Sequence, residues 1–101
     1  FSTQETTTST PNIRYSSSKS LNNMLSIGDA ITVTIITTAA SGGYSANMTI
    51  DGGAQTEEWV GGSAPSAGAG SDGLDIYTYN ILKTSSSPAY KVIGNHINAS
   101  N

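Results

Sequence analysis

Apolar and polar side chains alternate most regularly between Ile31 and Thr38, with Ile31, Val33 and Ile35 on one parity and Thr32 and Thr34 on the other. A two-residue period sends successive side chains to opposite faces, and β-branched residues suit a pleated, packed surface. This segment is therefore predicted as the strongest strand of the chain. After the turn Ser41-Gly42-Gly43, Tyr44, Ala46, Met48 and Ile50 alternate with Ser45, Asn47 and Thr49, which reads as the hairpin partner of that strand. Asp51-Gly52-Gly53 supplies the next turn, with residues tolerant of positive φ.

Thr56 to Val60 is a short strand carrying the only Trp, Trp59. The Gly/Ala/Ser-rich stretch 61–73 has no strand or helix signal, and loops of that length are usually functional or mobile. Leu74 to Thr84 is a long strand with apolar groups on both parities: Leu74, Ile76 and Leu82 on one, Tyr77, Tyr79 and Ile81 on the other. One parity is expected in the core, and the other against a neighbour or solvent through Tyr hydroxyls. Ser85-Ser86-Ser87-Pro88 turns the chain into a last strand, Ala89 to Ile97, on which Tyr90 and Val92 point together.

Towards the start, Asn12 to Tyr15 is a short extended segment and Ser16 to Ser20 a turn. Leu21, Met24 and Leu25 recur at i, i+3, i+4, one turn of helix that needs a sheet to dock on. Residues 1–11 hold five Thr and end at Pro11, and read as an extended N-terminal arm or linker. The arm is expected to reach away from a single domain over 12–101. Six or seven short strands with turn signals between them predict an all-β fold, an antiparallel β-sandwich of jelly-roll type.

Composition narrows the function. Four Lys+Arg stand against seven Asp+Glu, a net charge of −3. With no basic excess to neutralise phosphates, a nucleic-acid partner is not expected. No apolar run approaches the roughly 18–20 residues of a membrane span. Without cysteine there is no disulfide, thiolate zinc site or cysteine nucleophile. The 29 Ser+Thr give a hydroxyl-rich surface, as in secreted, virion-borne and carbohydrate-contacting proteins. The chain starts at Phe1, which suggests a processed product or part of a longer polypeptide, and no leader is visible in it.

Candidate chemistry is sparse. The only His, His96, has no nucleophile-elbow pattern to work with and reads as structural. Asp29, Asp51, Asp72 and Asp75 match no EF-hand spacing and read as turn formers rather than a calcium site. Glu57 and Glu58 are adjacent on a strand and point to opposite faces, so they cannot flank one glycosidic bond. The Gly61-Gly62 and Gly68–Gly70 runs lack the Lys and helix of a phosphate loop. Trp59, Tyr77 and Tyr79 are the candidate glycan or interface contacts, since aromatic faces stack on sugar rings and populate interfaces. The competing reading puts Trp59 in the core beneath the Gly61–Pro65 turn. Asn47 and Asn98 lie in glycosylation sequons that chance explains in so Ser/Thr/Asn-rich a chain. No catalytic residue, cofactor or metal is assigned.

Ile13-Arg14-Tyr15, Ser20-Leu21-Asn22, Gly28-Asp29, Ile50-Asp51-Gly52, Trp59-x-Gly61-Gly62-x-Ala64-Pro65, Asp75-x-Tyr77, Ile81-Leu82-Lys83-Thr84 and Tyr90-x-Val92 follow one another across the chain. In that order and spacing, Asn12 to Asn98 resembles a β domain of marine-phage structural proteins, found in cyanophages and pelagiphages as tail-fibre-like or other virion appendages. The polar end Asn98-Ala99-Ser100-Asn101 departs from that pattern, which has an aromatic and a small residue there. The resemblance implies a non-enzymatic virion component in a fibre, tail or capsid decoration. It would assemble with sister subunits, as a trimer in a fibre, and with other virion proteins. Contact with a host surface glycan is a further expectation, and the arm is expected to cross onto a neighbour. The alternatives are a carbohydrate-binding module and a secreted cell-surface β protein.

Overall fold

The computed structural model describes residues 4–5, 10–39, 44–67 and 70–100. Its elements in chain order are β1 (Gln4–Glu5), β2 (Asn12–Ile13), α1 (Leu21–Met24), β3 (Ala30–Ala39), β4 (Thr49–Ile50), β5 (Gly53–Ala54), β6 (Glu57–Trp59), β7 (Gly70–Ser85) and β8 (Ala89–Ser100). They form a five-stranded sheet, β1-β3-β7-β8-β6, and a three-stranded sheet, β2-β4-β5. The chain is thus mostly β. No described helix is long and apolar enough to cross a membrane.

The sixteen-residue β7 is the spine, antiparallel to β3 on one side and β8 on the other. The register aligns Ile31, Val33 and Ile35 of β3 with Ile81, Tyr79 and Tyr77 of β7. Val92, Gly94 and His96 of β8 continue the same three rows. This shared parity is the inner face. Leu21, Met48 and Ile50 pack onto Tyr77, Tyr79, Ile81 and Val92, with Ile13, Leu25, Trp59 and Tyr90 around them. Burial of these side chains is the main favourable term for a domain of this size.

Polar side chains tie the covering elements to the sheet. The Ser20 hydroxyl caps α1 by accepting from the Asn23 N–H. Asp51 adds a second cap from thirty residues away, its two carboxylate oxygens accepting from the Leu21 and Asn22 amides at 2.7 and 3.0 Å. At the other end of the helix, the buried Lys83 ammonium donates to the Asn22 and Leu25 carbonyls, both at 2.9 Å. The Lys83 backbone also exchanges hydrogen bonds with Gly28 and Asp29. A four-residue helix has no stability of its own, so these contacts explain why it forms here.

Several expectations are corrected. The sheets are mixed, not wholly antiparallel: β1 joins β3, β2 joins β4 and β6 joins β8 in parallel. Residues 44–50 do not form a hairpin with β3. Only Thr49–Ile50 is strand, and it pairs with β2 and β5. The amides of this segment find other acceptors: Ser45 the Tyr77 hydroxyl, Met48 the Glu57 carboxylate, Thr49 the Pro11 carbonyl. Those acceptors draw the segment across the inner face, and β3 takes β7 as its neighbour instead. The arm does not simply reach away, since Gln4–Glu5 pairs with Thr38–Ala39 of the same chain. The strand expected from Leu74 begins earlier, at Gly70. The Ser41-Gly42-Gly43 turn lies outside the described residues.

Candidate interaction surface

The opposite parity of β3, β7 and β8 forms the outer face of the large sheet. Cross-strand registers set its rows: Ile36–Ile76–Ile97, then Thr34–Thr78–Asn95, Thr32–Asn80–Ile93 and Ala30–Leu82–Lys91. Leu74 and Ala99 stand opposite each other in the next row beyond the isoleucines. Ile36 is 49% and Ile97 53% exposed, and Leu74, Leu82 and Ile93 are exposed as well. Three isoleucines in register on adjacent strands make a continuous apolar strip, which differs from scattered single exposed residues.

Charge is nearly absent from this face. Over Ala30–Ile36, Leu74–Thr84 and Lys91–Ala99, the only outward-facing charge is Lys91. Its ammonium lies 2.7 Å from the Glu58 carboxylate on β6. The Thr32 hydroxyl likewise donates to Asn80 Oδ1 at 2.8 Å. Lys91, Thr32 and Asn80 thus take partners within the chain, while Ile36 and Ile97 are exposed with Ile76 half-buried between them.

The aromatic residues singled out from the sequence lie on the other face. Tyr77 and Tyr79 are buried in the core, so neither presents a ring to a sugar or a partner in this chain. The Tyr77 hydroxyl accepts from the Ser45 amide at 2.9 Å. Trp59 is half-buried, edge-on to Tyr79 with ring centroids 5.9 Å apart. Burial raises the Tyr77 hydroxyl pKa above its ordinary value despite the hydrogen bond from Ser45. Burial, with the nearby Tyr77 and Glu57, pushes Tyr79 up further, and burial also raises Tyr90.

His96 and Asp75 come together, with Nε2 2.6 Å from a carboxylate oxygen and Asp75 fully buried. The imidazole stacks on Tyr77 at 4.5 Å between centroids. The pair pins the inner face at the end away from α1. The other candidate acids disperse: Asp29 accepts from the Ser26 amide, Asp51 caps α1, and the Asp72 side chain lies outside the described residues. Among the described residues no three His, Cys, Asp or Glu gather as metal ligands. Glu57 faces inward to the Met48 amide and Glu58 outward to Lys91, on opposite faces as the strand period requires. Asn47 and Asn98 are exposed.

The outer strip was not singled out from the sequence. Its signal is present in the adjacent apolar pairs Ile35-Ile36 and Ile76-Tyr77, each of which must send one side chain to each face. Comparison with protein-family models, curated proteins and solved structures found no match to this chain.

Proposed function

We propose that this chain is a non-enzymatic structural module of a phage virion that assembles with further copies of itself and with other virion proteins. The observation that carries the assembly role is the in-register strip Ile36–Ile76–Ile97 on an exposed, nearly chargeless sheet face. Such a face is costly to leave in water and well suited to association. The sequence resemblance between Asn12 and Asn98 supplies the virion setting. Polar residues in the motifs of that resemblance, Ser20, Asp29, Asp51 and Lys83, hold the helix and turns in place, a role that suits a scaffold. We read the architecture as a sandwich in which the small sheet and α1 cover the inner face of the large sheet.

Mass spectrometry of gradient-purified particles from a culture carrying the coding sequence tests the reading. Peptides of this chain should co-migrate with the particles in stoichiometric amount. Their confinement to the particle-free fractions would overturn it.

A further inference from the structure

We propose that the outer face of the large sheet is a two-fold interface, with the Ile36–Ile76–Ile97 strip of one copy packed on the same strip of a second copy. This rests on the assembly role proposed above and names the surface and partner. Three observations select a second copy as the occupant.

The first is charge. A nucleic acid or an acidic or basic peptide needs a field of opposite sign. Over Ala30–Ile36, Leu74–Thr84 and Lys91–Ala99 the only outward charge, Lys91, is already paired with Glu58. A neutral face is complementary to itself, and no unpaired charge is buried when it closes.

The second is symmetry. A two-fold contact needs a patch that matches itself. The strip has Ile76 on the central strand with Ile36 and Ile97 on either side. Rotation about an axis running along β7 exchanges the flanking isoleucines and keeps Ile76 opposite Ile76. Sheets packed this way lie about 10 Å apart with strands nearly aligned.

The third is area. Three strands of ten residues, at ~3.3 Å rise and ~4.8 Å spacing, project on the order of 500 Å². Side-chain relief raises the accessible area above that projection, towards the ~800 Å² per partner of stable interfaces.

The test uses the whole chain and needs no background substitution, because it contains no cysteine. Sedimentation at about 0.1 mM should show a dimer, and I36D and I97D should each weaken association about 10- to 100-fold. Far-UV circular dichroism, and thermal melts at concentrations where the wild type is monomeric, should stay close to wild type, since both positions are half exposed. A bismaleimide whose reach matches the ~10 Å sheet spacing should join I76C into a covalent dimer much faster than S63C, placed on the exposed loop after β6. A dimer unaffected by I36D and I97D would overturn the assignment of the face while leaving self-assembly intact. A monomeric wild type would overturn both, and the particle measurement would still decide the virion setting. Equal cross-linking of I76C and S63C would overturn the two-fold arrangement.

Discussion

The indole of Trp59 lies against the backbone of Gly94, so close that a β-carbon on Gly94 would stand 2.9 Å from Cε3 and Cζ3 of the ring. The two residues are register partners across the parallel β6–β8 join, and Gly94 also faces Tyr79 on β7. The absent side chain lets the indole lie over β8 and reach the edge of Tyr79.

Gly94→Ala should therefore destabilise the fold by about 1–3 kcal/mol, since neither the ring nor the strand can retreat without disturbing Tyr79. Urea unfolding followed by fluorescence of the single Trp measures this directly. In a W59L background the same change should be milder, because the rigid ring is gone. An equal penalty in both backgrounds would mean that the contact is not the cause.

Asp51 combines two tasks. It caps α1 through both carboxylate oxygens and occupies the left-handed region with φ of 51°. D51A loses both charge-assisted bonds and keeps the backbone strain, a penalty of about 2–4 kcal/mol. D51G loses the bonds and relieves the strain. D51N tolerates the conformation and retains one acceptor. Chemical denaturation should rank stability as wild type, D51N, D51G, D51A.

The Lys83 ammonium holds the carbonyls of Asn22 and Leu25 where α1 ends. K83M keeps the apolar stem and removes the donors, leaving two carbonyls without their partner. The expected loss is about 2 kcal/mol, with amide exchange accelerated first in residues 21–28. Uniform acceleration across β3, β7 and β8 instead would show that α1 and the sheet unfold as one unit.

Among the described residues, the buried hydroxyl of Tyr79 has no hydrogen-bond partner. Y79F should thus leave neutral-pH stability unchanged or raise it by up to about 1 kcal/mol. The pH dependence has a definite sign. The folded-state pKa lies above the ordinary 10.0, so the stabilisation linked to the protonated hydroxyl is complete below that value. As pH rises past it, the unfolded chain releases its proton while the folded chain retains it, and stability falls. Urea midpoints at about pH 8 and about pH 11 should drop less for Y79F than for wild type. Tyr77 and Tyr90, both also raised, keep the slope from vanishing.

Local periodicity made much of the fold legible. Alternation from Ile31 to Ile35 marked β3, the i, i+3, i+4 spacing marked α1, and the runs ending at Thr84 and Ile97 marked β7 and β8. The opposed directions of Glu57 and Glu58 followed from strand geometry alone. The segment 44–50 misled because it alternates like a strand, yet its amides bond to Tyr77, Glu57 and Pro11. Those acceptors are distant in sequence, so no window around Met48 contains the signal.

By itself, the sequence determined the central parts of β3, β7 and β8, the single turn of α1, and that β7 carries apolar groups on both sides, because these follow from side-chain chemistry within a few residues. Tertiary structure decided which side of β7 turned inward. The Tyr77–Tyr79–Ile81 parity meets Ile35, Val33 and Ile31 on one neighbour and His96, Gly94 and Val92 on the other. That register leaves Ile36, Ile76 and Ile97 aligned outside. Pairing residues from about ten to fifty positions apart fixes the alignment, and a two-residue period cannot distinguish one face from the other until the neighbouring strands are in place.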